Sequence, residues 1–249
     1  MIDLTGRVAL VTGGSRGIGR ATALALARAG ADVVVNYLQR RDAATEVAEK
    51  IRGLGRKALP VQADVGSPLE VERLFAELAR TFGRLDILIN NAGTGTLCPL
   101  EDVTLKFWDE ILRVDLTGPM LCTQAAARLM SRQEYGRIVN IASIGGVRGL
   151  GADPAYTAAK AGLMGLTKAT ARALGRYNIT VNTVSPGPTE TELGKKIPDE
   201  MVAARVKSSA LGRLAKPEDV ADAILFFASD YSRHVTGQMV LVDGGIEMP

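Results

Sequence analysis

Hydrophobic residues alternate along the chain between short continuous runs and longer runs with helical spacing. The short runs predict seven strands, at Val8–Thr12, Asp32–Asn36, Ala58–Asp64, Asp86–Asn90, Arg137–Ala142, Thr180–Pro186 and Met239–Val242. The longer runs predict six helices, at Gly17–Ala29, Arg41–Leu54, Leu69–Phe82, Leu105–Ser131, Ala155–Tyr177 and Pro217–Ser229. Most strand runs are continuously apolar, which is typical of parallel strands with helices on both faces. Right-handed crossovers then give a doubly wound α/β fold with a seven-stranded parallel sheet.

The alternation continues almost to the C-terminus and predicts one domain over residues 1–249. The sequence has no internal repeat, low-complexity tract or Pro/Ser-rich linker. One segment, at about 187–212, interrupts the regular pattern, with prolines and glycines around one short helical stretch. Long excursions of this kind are commonly lids or binding loops, so we predict that this segment is the substrate loop.

Composition narrows the classes of function. With 47% hydrophobic and 23% charged residues, the 249-residue chain is neither disordered nor collagen-like in composition. Its net charge of +3 comes from scattered basic residues, so we expect no nucleic-acid partner. Two cysteines and one histidine cannot supply a disulfide framework or a usual zinc site, and we expect a cytoplasmic protein without a metal. The first apolar run is broken by Gly13 and Gly14, which argues against a secretory or membrane segment.

A glycine-rich turn, Thr12-Gly13-Gly14-Ser15-Arg16-Gly17-Ile18-Gly19, joins the first predicted strand to the first helix. Glycines in such a turn let backbone N–H groups and a helix N-terminus approach a pyrophosphate. A glycine cluster by itself also suits an ordinary tight turn. The position of this cluster favours pyrophosphate binding over an ordinary turn, because doubly wound folds bind dinucleotides at the first strand-to-helix turn.

The spacing Gly-x-x-x-Gly-x-Gly resembles that of the short-chain dehydrogenase/reductase family. Further motifs that resemble the family's follow in the expected order: Asp64-Val65, Asn90-Asn91-Ala92-Gly93, Ser143, Tyr156-Thr157-Ala158-Ala159-Lys160, Pro186-Gly187 and Thr189. The resemblance covers essentially the whole chain and implies a Rossmann-like fold and an NAD(P)-dependent oxidoreductase acting on CH–OH and C=O groups. It also implies a homotetramer built through the helices at 105–131 and 155–177 and the C-terminal strand.

The resemblance implies that one set of residues contacts the cofactor. These are Gly13, Ser15, Arg16, Gly17, Ile18, Gly19, Asn36, Asp64, Val65, Asn91, Ala92, Gly93, Tyr156, Lys160, Pro186, Gly187 and Thr189. We expect NADP(H) to be preferred, with NAD(H) as the alternative, for two reasons. The second strand ends at Asn36, and Asp32, at its start, is poorly placed to bind a free ribose 2′-hydroxyl. Arg16 resembles the basic residue of NADP-preferring relatives, whereas Arg40 and Arg41 either add charge or merely begin a solvated helix.

Tyr156 and Lys160 are four residues apart in a helical pattern, so their side chains share one face. Free tyrosine titrates near pH ~10, and a neighbouring ammonium lowers that pKa by favouring the phenolate. Ser143 follows the fifth strand and can hydrogen-bond a reacting carbonyl oxygen. We therefore predict hydride transfer to a carbonyl carbon, with Tyr156 as the proton donor, and alcohol oxidation as the reverse. The resemblance further implies that Lys160 binds the nicotinamide ribose.

The sequence departs from the family at one catalytic position. Many members have a fourth catalytic residue, an asparagine, where this chain has Asp115. An aspartate cannot donate as an amide does, and its charge would draw Lys160 away from Tyr156. The prediction is that Asp115→Asn keeps or raises activity and shifts the pH optimum.

Among subgroups of the family, the chain most resembles 3-oxoacyl-carrier-protein reductases, and sugar and polyol dehydrogenases are similar too. At the positions of the two arginines by which the carrier-protein enzymes dock their partner, this chain has Glu134 and Tyr177. The leading hypothesis is an NADPH-dependent reductase of a ketone or a 3-oxoacyl thioester. The alternatives are a dehydrogenase of a sugar, polyol or other secondary alcohol, and a non-catalytic NADP-binding sensor. The segments expected to distinguish the substrates are Thr94–Leu100, Ile144–Asp153 and Pro188–Gly212.

Overall fold

The predicted sheet is present in the computed structural model, which describes residues 2–95, 97–149, 153–192 and 199–248. Its strands are β1 (Val8–Val11), β2 (Asp32–Tyr37), β3 (Ala58–Gln62), β4 (Ile87–Asn90), β5 (Gly136–Ile141), β6 (Ile179–Pro186) and β7 (Met239–Val242). They pair in parallel in the order β3-β2-β1-β4-β5-β6-β7. The seven predicted strands are thus confirmed, each end within two residues of its predicted bound.

Helices cover both faces of the sheet. They are α1 (Gly17–Arg28), α2 (Arg41–Gly53), α3 (Pro68–Phe82), α4 (Leu105–Leu112), α5 (Gly118–Gln133), α6 (Ile144–Arg148), α7 (Pro154–Leu174), α8 (Asp199–Ser208) and α9 (Pro217–Ala228). Successive strand residues point to opposite faces, so Val33 and Val35 join the core beneath α1, α2 and α9, while Val34 joins the core beneath α3, α5 and α7. The continuous apolar runs in the sequence reflect these two cores.

Two predictions for the helices need correction. The predicted helix at 105–131 is α4 and α5 joined by a π-helical turn at Arg113–Thr117. Helix α6 was not predicted, because its five residues include two glycines and are too short for a periodic pattern. Helix α8 is the short helical stretch expected in the substrate loop. Residues 96, 150–152 and 193–198, which belong to the three predicted substrate segments, lie outside the described residues.

The strand order places β1 and β4 side by side, although α1, β2, α2, β3 and α3 separate them in sequence. The chain therefore leaves the carboxyl ends of these neighbouring strands in opposite directions, and a crevice opens between the connections. Across the described part of the chain, no helix combines the length and apolar character needed to cross a lipid bilayer.

Candidate active site

A cleft with a volume of about 800 Å³ opens at the carboxyl ends of the strands. Every site residue predicted from the sequence lines it. They are Gly13, Ser15, Arg16, Gly17, Ile18, Gly19, Asn36, Asp64, Val65, Asn91, Ala92, Gly93, Asp115, Ser143, Tyr156, Lys160, Pro186, Gly187 and Thr189. The fold thus brings together motifs from most of the chain.

The glycine-rich turn forms one wall of the cleft and has a backbone suited to an anion. Gly13 and Gly17 have φ angles of +62° and +53°, in the left-handed region that favours glycine. Arg16 occupies the N-cap position of α1, and its side chain does not cap the helix. Because the N-cap side chain accepts no hydrogen bond from the first N–H groups of α1, these groups suit the binding of a cofactor pyrophosphate.

Two polar side chains hold this turn against the neighbouring strands. The Thr12 hydroxyl accepts hydrogen bonds from the Asn91 and Ala92 N–H groups, at 2.9 and 3.0 Å. The Asn36 amide accepts from the Gly13 N–H at 3.2 Å and donates to the Ala63 carbonyl at 2.9 Å. Asn36, expected to contact the cofactor, lines the cleft while its buried amide is already used to shape the turn.

Gly19 has no room for a side chain, and this supports a testable prediction. A Cβ at this position would collide with the Gly13 carbonyl oxygen and lie 2.5 Å from Asn91 Nδ2. We expect Gly19→Ala to displace the turn, to weaken NADPH binding and to lower the free energy of unfolding by about 1–3 kcal/mol. Fluorescence titration with NADPH and urea unfolding measure the two effects.

Gly53→Ala is the matched control, because a Cβ at this last position of α2 meets no atom within 4 Å. The control is expected to bind NADPH as the unsubstituted protein does and to be no less stable, since alanine favours helix. Equal behaviour of the two variants would show that the tight packing at Gly19 is unimportant.

Charged pairs surround the end of the cleft near β2 and β3. Arg113 donates to Asp64 at 2.8 Å and also pairs with Glu110 at 2.8 Å. Arg16 and Arg40 both contact Glu192, at 2.6 and 2.9 Å. Arg40 lines the cleft with Arg16, which favours the interpretation that it adds charge to the cofactor site. Asp64 is held in an ion pair, a role that its motif did not predict.

The expected catalytic side chains converge at the opposite end. Tyr156 and Lys160 both project from α7, and the Lys160 ammonium lies 5.5 Å from the centre of the Tyr156 ring. Ser143, at the N-cap of α6, accepts from the Gly145 N–H at 3.0 Å, and its hydroxyl lies close enough to Tyr156 to lower the pKa of the phenol. The Ser143 hydroxyl therefore caps α6 and also acts on Tyr156.

Asp115 lies on the π-helical turn and is fully buried. Its carboxylate accepts from the Thr94 N–H at 2.8 Å and lies 3.0 Å from Lys160 Nζ. Lys160 also donates to the Ile141 carbonyl at 3.1 Å. Gly93 permits this arrangement, because a Cβ there would lie 3.0 Å from Asp115 Oδ2. π-Helical turns are frequent at functional sites, and here the turn directs the Asp115 carboxylate at Lys160.

The pKa values of this cluster follow from burial and charge together. Burial opposes the ammonium of Lys160, but the Asp115 carboxylate and the Tyr156 phenol outweigh it and raise the pKa of Lys160. Burial raises the pKa of Tyr156, and Lys160 lowers it by a smaller amount. The expectation that Lys160 favours the phenolate is therefore correct in sign, but the net pKa of Tyr156 is raised because burial dominates and Asp115 adds negative charge.

Comparison with known proteins agrees with the geometry. A protein-family model described as "Enoyl-(Acyl carrier protein) reductase" matches residues 13–247. The 3-oxoacyl-[acyl-carrier-protein] reductase of Synechocystis sp. is 43% identical over the full length of both chains. The chain belongs to the short-chain dehydrogenase/reductase family. It is an oxidoreductase of the NAD(P)-dependent dehydrogenase/reductase class, close to the 3-oxoacyl-carrier-protein reductases.

Two further relatives show the range of this family. The (2S)-[(R)-hydroxy(phenyl)methyl]succinyl-CoA dehydrogenase subunit BbsD of Thauera aromatica is 40% identical, with 98% of each chain covered. A crystal structure of a short-chain type dehydrogenase/reductase from Mycobacterium marinum superposes with a TM-score of 0.94 at 37% identity, covering 100% of this chain and 98% of the other.

Several residues at the cleft were predicted only as parts of the substrate segments, without roles of their own. Asp153 caps α7 by accepting from the Tyr156 N–H at 3.1 Å, and burial raises its pKa. Arg148 and Arg205 also line the cleft, and Arg148 pairs with Glu247 at 2.9 Å. The sequence signal for Asp153 was available, because an aspartate directly before a proline that begins a helix is a common N-cap. The arginines had no comparable signal.

Proposed function

We propose that this protein reduces a ketone or 3-oxoacyl thioester to the secondary alcohol with NADPH, with Tyr156 as the proton donor. The observation that carries the proposal is the meeting of Ser143, Tyr156 and Lys160 in the same cleft as the glycine-rich turn. Any one of these residues alone is common in proteins without activity. Their combination beside an uncapped helix N-terminus supports acid–base chemistry next to a bound dinucleotide.

The cofactor, when bound, supplies the hydride, and the protein supplies position, charge and the proton. The Ser143 hydroxyl and the Tyr156 phenol would both hydrogen-bond the carbonyl oxygen, and Tyr156 would protonate it as negative charge develops. Lys160 is cationic beside Tyr156 and stabilises the phenolate that remains. Asp115 holds this ammonium through the 3.0 Å contact, so we propose that it positions Lys160 in place of the family's asparagine.

A preference for NADPH is supported by charge at the adenosine end. Arg16 and Arg40 both line the cleft beside the end of β2, where a cation accommodates a ribose 2′-phosphate. Asp32, the one acidic residue of β2, is at the far end of that strand and pairs with Arg56 at 3.2 Å. The acid that would select NADH at the end of β2 is therefore missing from the described residues of that strand.

The substrate class is supported by relatives and by the cleft. Both of the curated relatives described above are named for thioesters, one of a carrier protein and one of coenzyme A. Arg205 adds positive charge to the cleft, beside Arg148 in its ion pair with Glu247, and this charge suits an acyl group attached to an anionic carrier. Carrier-protein enzymes are expected to dock their partner through two arginines, and this chain has Glu134 and Tyr177 at those positions. We therefore favour coenzyme A over a carrier protein.

We also propose that the protein forms a homotetramer. The edge strand β7 exposes Met239 and Val240, and α9 exposes Phe226. Leu105 on α4 and Met120 on α5 are exposed as well. An apolar edge strand and apolar helix faces favour burial against further copies of the chain.

A substrate panel tests the proposed function. NADPH and NADH are supplied separately with a short 3-oxoacyl-CoA, the same acyl group on a carrier protein, and simple ketones, while cofactor absorbance is followed. We expect turnover with NADPH and the CoA thioester. Absence of reduction combined with oxidation of sugars or other alcohols would replace the proposal with the dehydrogenase, and tight NADPH binding without turnover in either direction would favour a sensor.

A further inference from the structure

The carboxylate of Glu192 bridges two arginines from distant parts of the chain. Its Oε2 lies 2.6 Å from Arg16 Nη1 and 2.9 Å from Arg40 Nη2. Its Oε1 accepts a second hydrogen bond from Arg40 at 3.3 Å. Arg16 belongs to the glycine-rich turn and Arg40 precedes α2, so the carboxylate spans the two cations proposed to receive a 2′-phosphate.

The backbone before Glu192 is fixed to the rest of the fold. The Glu190 N–H donates to the Ala215 carbonyl at 2.9 Å, and the Ala215 N–H donates to the Pro188 carbonyl at 3.0 Å. Thr191 packs on the glycine-rich turn, because a Cβ at Gly17 would lie 3.3 Å from Thr191 Cγ2. The carboxylate is therefore held over the turn by a short, anchored segment.

A carboxylate in this position acts differently on the two cofactors. It carries the same sign of charge as a 2′-phosphate and contacts the same guanidinium groups, so the two anions compete for Arg16 and Arg40. A free 2′-hydroxyl has no such conflict, because a carboxylate accepts its hydrogen bond. Arg16, Arg40 and Glu192 are each about half exposed, so the carboxylate can swing into solvent when a stronger anion arrives.

We infer that Glu192 is a specificity-determining residue that weakens the preference for NADPH over NADH by occupying the Arg16–Arg40 pair. The inference rests on the proposed use of NADPH by this cleft. Arg16 and Arg40 favour binding of the 2′-phosphate, and Glu192 reduces the gain in NADPH affinity that these arginines provide. NADH use then depends on a residue of the segment after β6, not on an acid at the end of β2.

Binding of cofactor fragments tests this inference without catalysis. Calorimetry with 2′,5′-ADP and 5′-AMP is applied to the unsubstituted protein, Glu192→Gln and Glu190→Gln. Glu190→Gln makes the same charge change two residues away, at an exposed side chain that does not line the cleft. We expect Glu192→Gln to bind 2′,5′-ADP about tenfold more tightly, because removal of one nearby negative charge strengthens an anion's attraction to both arginines.

The controls separate this inference from the proposed function. Glu190→Gln should match the unsubstituted protein with both fragments, and Glu192→Gln should bind 5′-AMP no more tightly. In kinetics, Glu192→Gln should raise the ratio of kcat/KM for NADPH to that for NADH by a similar factor. Unchanged 2′,5′-ADP affinity in Glu192→Gln would overturn the role of Glu192 alone. Failure of all three proteins to bind 2′,5′-ADP would overturn NADPH use itself.

Discussion

Replacing Tyr156 with phenylalanine is expected to lower kcat by about 10³-fold, the middle of the range for loss of a general acid. The variant removes only the phenolic hydroxyl and leaves the ring that packs beneath Lys160 and beside Gly95. NADPH affinity should therefore be retained. Single-turnover rates with a 3-oxoacyl-CoA measure the chemical step, and NADPH fluorescence measures binding.

Tyr231→Phe is a suitable control, because that tyrosine is 63% exposed and does not line the cleft. It should reduce substrate at the unsubstituted rate. A Tyr156→Phe variant with near-normal single-turnover rates would remove the phenol from the mechanism. A rate loss explained by failure to bind NADPH would instead make Tyr156 a cofactor-binding residue without an acid–base role.

Replacing Asp115 with alanine is expected to lower the free energy of unfolding by about 3 kcal/mol, as when one partner of a buried ion pair is removed. The change leaves the Thr94 N–H without its acceptor and Lys160 with the Ile141 carbonyl as its described acceptor. Urea unfolding measures the effect. Asp109→Ala, at an exposed position on α4, is the control and should be neutral. Equal stability of both variants would mean that the buried pair contributes little.

The isosteric variant Asp115→Asn tests electrostatics without a cavity. We expect activity to be kept or raised, because the amide keeps the shape and Lys160 is no longer drawn towards a carboxylate. The carboxylate raises the pKa of both Tyr156 and Lys160, so its removal lowers both.

The sign of the pH effect follows from the state of the phenol. Carbonyl reduction needs the protonated phenol, so its alkaline decline should move to lower pH in Asp115→Asn. Alcohol oxidation needs the phenolate, so its rise from the acid side should also move to lower pH. Profiles of kcat/KM against pH in both directions measure these shifts. A shift to higher pH would contradict the assigned charge effect, and a large loss of activity would show that the carboxylate has a role of its own.

The sequence predicted the sheet and most of the cleft because these features are encoded locally. Apolar runs such as Val33–Val35 indicate buried parallel strands. The backbone conformation of the turn from Gly13 to Gly19 requires glycine, and a cluster of glycines after a strand is easily recognised in a sequence. The carboxyl ends of parallel strands share one edge of the sheet. Motifs placed after those strands were therefore expected to meet, and they do.

The missed features depend on pairings between residues distant in sequence. Glu192 lies 176 residues from Arg16 and 152 from Arg40, and an isolated surface glutamate gives no local sign of such a contact. Arg113 and Asp64 are 49 residues apart. The π-helical turn that presents Asp115 was hidden for another reason: the apolar pattern continues through it, and hydrophobic spacing does not reveal a wider turn within a longer helix.

Transfer of isotope tests the central claim most directly. NADPH deuterated at the transferring carbon of the nicotinamide ring is incubated with a 3-oxoacyl-CoA, and the product is examined by mass spectrometry and NMR. The proposed reaction predicts a 3-hydroxyacyl-CoA with one deuterium on the carbinol carbon, formed far more slowly by Tyr156→Phe. A product without deuterium at that carbon, or deuterium delivered only to the carbon–carbon double bond of an enoyl thioester supplied in parallel, would contradict carbonyl reduction at this site.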